Sequence, residues 1–253
     1  MLLAIDVGNT NTVCGVYRDR DLVRHWRVQT DPERTVDEYG VLLQNLYGSA
    51  ALKPRIDRVI ISCVVPPLQK TVEAVSREYL GVEPVTVGPG TRTGMPILYD
   101  NPKEVGADRI VNAVAAYERT HDTTIVVDFG TATTFDYITA KGEYVGGVIT
   151  PGPGISMEAL YQRAAKLYRV ELVKPPHVVG RNTIHAIQSG FLYGYVAMVD
   201  GLVRRIQDEN QVKARIFATG GFATLLAPES ETIEEVDEFL TLDGLRILHE
   251  RNR

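Results

Sequence analysis

The sequence has few of the features that mark several common protein classes. Only Cys14 and Cys63 are cysteines among its 253 residues. Neither lies in a zinc-type or CxxC spacing, so we expect two free thiols, which suit a reducing cytoplasm. No stretch approaches the roughly 18 continuous apolar residues of a membrane span. The formal net charge of −5 argues against binding nucleic acid through general basicity. We therefore expect a cytoplasmic protein with neither a membrane nor a nucleic acid as its partner.

Several nucleotide-binding signatures are also missing. No G-x-x-x-x-G-K-[ST] segment is present, which excludes a Walker A loop. The DFG at 128–130 lies between predicted strands and so lacks the context of a protein kinase. Gly88, Gly90 and Gly94 do not match a dinucleotide fingerprint. A nucleotide site in this chain must therefore rest on another pattern.

The sequence does contain an internal duplication. When it is shifted by 122 residues, LLAIDVGNTNTVCGVYRDRDLV (2–23) lies over TIVVDFGTATTFDYITAKGEYV (124–145). The shift superimposes Asp6 on Asp128, Gly8 on Gly130, and Thr12 on Thr134. Each copy predicts a strand, a tight polar turn and two further strands. Because the offset is about half of the chain, we predict two similar α/β domains that face each other, at residues 1–117 and 118–253.

The segment NPKEVGADRIVNAVAAYERT, at 101–120, predicts a helix. Its apolar residues recur at helical spacing and form one stripe. Asp108 lies nearly opposite that stripe, so we expect its carboxylate to face solvent.

Two further helices are predicted in the second half. One runs from about residue 155 to 168, and a longer one runs to Ile206 with Asn182 or Thr183 as its cap. The longer helix carries apolar residues at helical spacing, namely Ile184, Ile187, Phe191 and Tyr195. This is more apolar surface than one small domain covers, so we predict a homodimer.

The two polar turns are suited to binding phosphate. Asn and Thr side chains, together with exposed backbone N–H groups in a glycine turn, donate well to phosphate oxygens. An aspartate at a strand end can hold Mg²⁺, usually through water. A single such turn could equally be a hairpin with self-bonding side chains, but two copies favour a phosphate clamp built from both domains. The phosphate-binding residues predicted in the first copy are Asp6, Val7, Gly8, Asn9, Thr10, Asn11, Thr12 and Val13.

This arrangement resembles the superfamily of actin, sugar kinases and the 70-kilodalton chaperones. Five motifs occur in order, namely DVGNTNT (6–12), VGADR (105–109), DFGTATT (128–134), GGVITPG (146–152) and RNT…SG (181–190). Together they are similar to type III pantothenate kinase, over essentially the whole chain. The resemblance implies two duplicated ribonuclease-H-like (actin-like ATPase) domains, with mixed sheets flanked by helices and a cleft between them.

The resemblance also implies roles for particular residues. Asp108 would be the base that accepts the proton of the pantothenate hydroxyl, Asp128 would hold a monovalent cation (K⁺ or NH₄⁺), and Thr131 would contact ATP. The residues implied to contact pantothenate are Tyr99, Gly106, Ala107, Asp108, Arg109 and Thr183, and the site would lie at a homodimer interface. From the residue pattern alone, a solvated pair is the preferred interpretation of Asp108 and Arg109, and Thr183 is equally a helix cap.

The activity expected from the resemblance is transfer of phosphate from ATP to pantothenate, giving 4′-phosphopantothenate, with Mg²⁺ and a monovalent cation as cofactors. Two alternatives remain open. One is a regulatory, transcription-accessory protein of the same fold, and the other is a kinase of another small hydroxy compound. Asp6, Asp108 and Asp128 are all present, which favours the enzyme because a pure binding protein has no need of all three.

Overall fold

The computed structural model describes residues 1–49, 56–164 and 167–253, which pack as two units. Unit 1 comprises Met1–Pro96, Asp100–Ala115 and Leu240–Arg253, and unit 2 comprises Ile97–Tyr99 and Ala116–Phe239. The predicted division at residue 117 places all later residues in one domain. By packing, the last 14 residues (Leu240–Arg253) lie in unit 1, and five residues before the division, 97–99 and 116–117, lie in unit 2.

Unit 1 contains a mixed five-stranded sheet. Its strands are β1 (Leu2–Val7), β2 (Asn11–Arg18), β3 (Asp21–Gln29), β4 (Arg58–Cys63) and β5 (Val85–Thr86). The order across the sheet is β3-β2-β1-β4-β5. The first three strands form an antiparallel meander, and β4 and β5 continue the sheet in parallel with β1.

Unit 2 contains a second sheet with the same topology. Its strands are β6 (Thr124–Phe129), β7 (Ala132–Ile138), β8 (Tyr144–Pro151), β9 (Arg215–Thr219) and β10 (Glu235–Val236). Its order, β8-β7-β6-β9-β10, repeats that of unit 1 strand for strand, with the same parallel and antiparallel pairs. The prediction of two duplicated ribonuclease-H-like domains with mixed sheets is thereby confirmed.

Helices flank both sheets. They are α1 (Val36–Ser49), α2 (Pro66–Val75), α3 (Ala107–Thr120), α4 (Pro153–Arg163), α5 (Thr183–Asn210), α6 (Ala223–Leu226) and α7 (Leu240–Arg251). A π-helical turn, Ser76–Leu80, continues α2, and a 3₁₀ turn, Pro102–Glu104, precedes α3. The chain passes from unit 1 to unit 2 within α3. Helix α4 is shorter than the predicted 155–168, and residues 165–166 of that prediction lie outside the described residues.

The core of unit 1 forms because β1 is apolar on both faces, as expected for a strand inside a sheet that is covered on both sides. Leu3, Ile5 and Val7 are almost completely buried and pack with apolar side chains of α1 and α2. Helix α7 also packs on this sheet. The hydroxyl of Tyr17 donates to the carboxylate of Asp243 at 2.8 Å, which ties α7 to β2 and explains its place in unit 1.

The core of unit 2 is built in the same way around β6. Ile125, Val127 and Phe129 are completely buried, and Leu192 and Val203 are among the α5 residues that pack with them. None of the helices in the described parts of the chain is long and apolar enough to cross a membrane.

Candidate active site

The turn between β1 and β2 carries the first polar motif. Val7 pairs with Thr12 across the two strands, so four residues, 8–11, make the connection. The backbone N–H of Gly8 donates to the carbonyl of Asn11 at 3.1 Å and closes the turn. A Cβ at Gly8 would lie 3.0 Å from that carbonyl oxygen, which favours glycine. Asn9 and Thr10 are exposed at the tip, where they can reach a ligand.

Asp6 precedes this turn in the last part of β1. It is half-buried between two completely or almost completely buried apolar residues, Ile5 and Val7. Its position at the end of the strand presents one carboxylate next to the turn. In the described parts of the chain no three His, Cys, Asp or Glu side chains cluster as a metal site. A single carboxylate still suits Mg²⁺, which keeps several waters and is commonly bound through one or two carboxylates and the substrate phosphates.

Thr12 is the one predicted phosphate-binding hydroxyl that is not open to solvent. Its side chain is 2% exposed. The hydroxyls of Thr12 and Thr30 lie 2.9 Å apart and form a hydrogen bond. The side chain of Thr12 therefore bonds inside unit 1, whereas Asn9 and Thr10 are the exposed side chains of the motif.

The turn between β6 and β7 is one residue shorter than the first. Phe129 pairs with Thr133, so three residues, 130–132, make the connection. The N–H of Gly130 donates to the carbonyl of Ala132 at 3.0 Å. The sequence alignment of Thr12 with Thr134 is therefore wrong, because the shift of 122 residues fails at the turn. The structural counterpart of Thr12 is Thr133, and both are buried.

Asp128 occupies the position in β6 that Asp6 occupies in β1. The burial patterns of the two strands agree residue by residue, and each aspartate is the one half-buried member. Gly220, at the end of β9, approaches Asp128 closely. It has a φ of +90°, and a Cβ there would overlap the Asp128 carboxylate and lie 2.7 Å from the backbone nitrogen of Phe129. Glycine is thus required at this position for both conformation and space.

Asp108 is the second residue of α3, and it does not face solvent freely as the sequence predicted. It is half-buried, and that burial raises the pKa of its carboxyl above the ordinary value of 3.8. The N–H of Arg109 donates to it at 2.8 Å and, with the Arg109 charge, opposes part of this rise. The expectation that this carboxylate faces solvent is therefore wrong. A raised pKa brings the carboxylate closer to the working pH of a general base.

The residues next to Asp108 fit around its carboxylate. A Cβ at Gly106 would lie 2.5 Å from the Asp108 Oδ1, so glycine makes room for this side chain. Arg109 is 7% exposed. The solvated-pair interpretation of Asp108 and Arg109 is therefore wrong, because neither side chain is fully hydrated.

Two of the predicted pantothenate-binding residues lie in unit 2. The Tyr99 ring packs against Gly146 of β8, with ring carbons 3.4 Å from where a Cβ would stand, and the N–H of Leu98 donates to the carbonyl of Tyr144 at 2.8 Å. Thr183 is the first residue of α5 and is exposed. Its neighbour Asn182 is the helix cap.

The Asn182 side chain accepts from the N–H of His185 at 2.8 Å, which answers the question of which residue caps α5. The Thr183 side chain is therefore left for another role. It lines a groove of about 880 Å³ that α5 shares with Ser156 and Leu160 of α4. The other α5 residues that line this groove are Ala186, Ile187, Gly190, Phe191, Gly194, Tyr195 and Met198.

Comparison with known proteins connects this arrangement with one family. The family model for type III pantothenate kinase matches residues 2–205. The type III pantothenate kinase of Myxococcus xanthus (strain DK1622) is 60% identical over 253 residues, which is 100% of this chain and 99% of that protein.

Two solved structures have the same fold at low sequence identity. A Campylobacter jejuni protein described as a conserved Baf family transcriptional activator superposes with a TM-score of 0.61 at 18% identity, covering 99% of this chain and 98% of its own. The inorganic polyphosphate/ATP-glucomannokinase of Arthrobacter sp. strain KM gives a TM-score of 0.51 at 12% identity, covering 100% of this chain and 99% of its own. At these identities the likeness shows the fold alone.

Proposed function

Because the chain belongs to the type III pantothenate kinase family, we propose that Asp6, Asp108 and Asp128 are the three carboxylates on which its phosphate transfer depends. The enzyme phosphorylates pantothenate with ATP to give 4′-phosphopantothenate, the first step of coenzyme A biosynthesis. The observation that carries the proposal is the repeated element, in which Asp6 and Asp128 take the same half-buried position at the ends of equivalent strands.

We assign the first turn to the ATP phosphates. Asn9 and Thr10 are its exposed side chains, and Asp6 stands beside it. We propose that Asp6 holds Mg²⁺, through water, and that the ion neutralises charge on the phosphates. In-line phosphate transfer depends more on positioning and charge neutralisation than on covalent chemistry. The fixed backbone of a closed glycine turn is suited to that task.

We assign the second turn to ATP and to a monovalent cation. Thr131 is the middle residue of this three-residue turn, where it would contact ATP. Asp128 would hold K⁺ or NH₄⁺, which supplies positive charge near the phosphates. A lysine commonly supplies that charge in other phosphate-transfer enzymes.

Asp108 is proposed as the base. As the primary hydroxyl oxygen of pantothenate bonds to the γ-phosphorus, the bond from that phosphorus to the β,γ-bridging oxygen breaks and ADP leaves. The hydroxyl proton passes to the Asp108 carboxylate. Gly106 and Ala107 would contact the substrate beside it, and Arg109 would pair with the pantothenate carboxylate or balance the charge of Asp108. Tyr99 and Thr183 complete the proposed pantothenate contacts.

The α5 groove supports a homodimer. Its lining is largely apolar, and Cβ atoms added at Gly190 and Gly194 would meet nothing within 4 Å, so a second helix has space to approach. We propose that a second copy of the chain covers this face, with Thr183 acting at the interface. Light scattering at micromolar concentration should give about twice the 28.0 kDa of one chain. A mass near 28.0 kDa would refute the dimer and the interfacial role of Thr183.

We also propose that the enzyme works in the cytoplasm, without nucleic acid or membrane as a partner. Both cysteines are free thiols, as a reducing compartment allows.

The proposal is tested by coupled ADP release with a panel of acceptors. ADP should form with pantothenate when ATP, Mg²⁺ and K⁺ or NH₄⁺ are all present. Replacing K⁺ by Na⁺ should remove most of the turnover, and equal turnover in Na⁺ would refute the cation role of Asp128. Turnover with a sugar but not with pantothenate would refute the substrate and favour a kinase of another hydroxy compound.

A further inference from the structure

We propose that Thr30 is a positioning residue for phosphate transfer, because it fixes the geometry of the turn between β1 and β2. This inference rests on the proposed role of that turn in binding the ATP phosphates. Thr30 itself belongs to none of the sequence motifs. It immediately follows β3 and is 6% exposed, although no residue of β3 is buried. A buried threonine after an otherwise open strand indicates a specific contact.

That contact is with the turn, through two hydrogen bonds. The backbone N–H of Thr30 donates to the carbonyl of Thr10 at 3.0 Å. The Thr30 hydroxyl bonds to the hydroxyl of Thr12, 2.9 Å away. With the bond from Gly8 to Asn11, these contacts hold the turn at its beginning, its tip and its exit. The exposed Asn9 and Thr10 are thereby presented on a fixed backbone.

The second unit shows which of these contacts is particular to the first turn. There the residue after β8 is Gly152, whose N–H donates to the carbonyl of Thr131 at 2.9 Å, as Thr30 donates to Thr10. Gly152 has no side chain, and the Thr133 hydroxyl, the counterpart of Thr12, has no hydrogen-bond partner in the described parts of the chain. The hydroxyl pair is therefore an addition to a backbone contact that both turns share. It reinforces the longer turn, which has four connecting residues to hold in place.

The test is Thr30→Val, which keeps the shape of the side chain and removes the hydroxyl. We expect the KM for ATP to rise about 5- to 10-fold, the factor that follows from losing one ordinary hydrogen bond. The KM for pantothenate should stay within about twofold, because the change acts on the phosphate turn. Thr30→Ser keeps the hydroxyl and should restore the KM for ATP.

A matched control is Thr124→Val at the start of β6. Thr124 is completely buried, and its hydroxyl lies 2.8 Å from that of Thr120. This substitution breaks the same kind of hydroxyl pair away from both turns. Because the Thr124 hydroxyl also donates to the carbonyl of Asp122 at 2.9 Å, Thr124→Val should lower the melting temperature at least as much as Thr30→Val, while the KM for ATP remains that of the wild type. A rise in the KM for ATP with both variants would indicate a general loss of stability and overturn the positioning role.

Asp6→Asn separates failure of this inference from failure of the proposed function. If Asp6→Asn is strongly impaired but Thr30→Val has a wild-type KM for ATP, the positioning role is refuted and the role of the turn stands. If Asp6→Asn keeps wild-type activity, the turn does not serve the phosphates and both proposals are refuted. If Thr30→Val does not fold, Thr30→Ser and Thr30→Ala decide. A KM for ATP that is raised in Thr30→Ala but not in Thr30→Ser supports the positioning role. The same KM for ATP in both variants refutes it.

Discussion

The turn between β1 and β2 and the turn between β6 and β7 follow strands with the same pattern of burial, yet they close differently. The first has four connecting residues and a buried hydroxyl pair behind it. The second has three connecting residues, and Gly152 and Gly220 approach it and the strand before it closely. The aspartate before each turn keeps its place, so the difference lies in how the backbone is supported.

This difference indicates how a duplicated element can take two ligands. A longer turn with two exposed polar side chains, Asn9 and Thr10, is suited to wrapping phosphate oxygens. A shorter turn against two close glycines leaves little space beside its carboxylate. We infer that the copies kept one strand topology while the turns diverged, the first toward Mg²⁺-bound phosphate and the second toward a monovalent cation.

A second pair of equivalent segments differs in charge. The loop before β5 is held by the Ser76 hydroxyl, which donates to the carbonyl of Val82 at 2.7 Å. The loop before β10 is held by Asp200, which is 5% exposed. Its carboxylate accepts from the hydroxyls of Ser230 at 2.6 Å and Thr232 at 2.7 Å, and from the N–H of Glu231 at 3.0 Å. The first loop is therefore held by a neutral group and the second by an ionised one.

The largest effect is expected at Asp108, the proposed base. Helix α7 follows β10 as α3 follows β5, but its second residue is Thr241 and not a carboxylate. Asp108→Asn should lower kcat by about 10²-fold or more, as loss of a general base does. Because burial raises its pKa, ionised Asp108 costs stability at neutral pH. The folded state is not penalised while the pH is below the ordinary pKa of the unfolded chain, where the carboxyl is protonated. The free energy of unfolding falls as the pH rises through the raised pKa of the folded state.

The melting temperature of Asp108→Asn at pH 7 should therefore equal or slightly exceed that of the wild type. Asp243→Asn, a carboxylate of α7 that bonds to Tyr17, is the control and should keep kcat within a few-fold. A wild-type kcat in Asp108→Asn would show that Asp108 is not the base. A collapse of its melting temperature would show that the carboxylate is structural.

Gly152→Ala should sharpen the comparison of the turns, because Gly152 stands where unit 1 has Thr30. A Cβ there would overlap the carbonyl oxygens of Gly130 and Thr131, so we expect a loss of about 2–3 kcal/mol in the free energy of unfolding. Urea denaturation measures this loss. Gly154→Ala is the control, since its Cβ would meet only Phe222 at 3.6 Å. Equal stability of the two variants would contradict the close packing behind the second turn.

A smaller and pH-dependent effect is expected at Asp200. Burial alone would raise its pKa, but hydrogen bonds from Ser230, Glu231 and Thr232 lower it below the ordinary value of 3.8. Its stabilisation is therefore present above that value and is lost as the pH falls through the lower pKa of the folded state.

Asp200→Asn should cost about 1–2 kcal/mol at neutral pH, and the cost should shrink in acid. Ser76→Ala should cost about 1 kcal/mol at every pH, because the lost hydrogen bond is neutral. Urea denaturation from about pH 3 to pH 7 measures the loss in the free energy of unfolding for both variants. A cost for Asp200→Asn that does not change with pH would contradict the charged contact.

Local patterns were sufficient to predict much of this architecture. The apolar runs before Asp6 and Asp128 predicted the central strands and the duplication, and the polar turns predicted where a ligand could bind. The shift of 122 residues gave the wrong partner for Thr12, because a one-residue difference in turn length is visible only from strand pairing. The burial of Asp108 was missed because helical periodicity predicts the apolar face of a single helix. It does not predict which other segments pack against that helix. Extending the same shift pairs Thr30 with Gly152, a signal that was present but lay beyond the aligned segments 2–23 and 124–145.

The central claim is that two equivalent aspartates serve different ions, and ion titration of two matched variants tests it most directly. Turnover is measured against Mg²⁺ at saturating K⁺, and against K⁺ at saturating Mg²⁺, for Asp6→Asn and Asp128→Asn. We expect Asp6→Asn to raise the half-saturating Mg²⁺ concentration by about tenfold or more, which corresponds to about 1.4 kcal/mol, and to leave that of K⁺ unchanged. Asp128→Asn should do the reverse. The account would be contradicted if both variants raised the half-saturating concentration of the same ion. It would also be contradicted if Asp128→Asn kept the wild-type half-saturating concentration of K⁺.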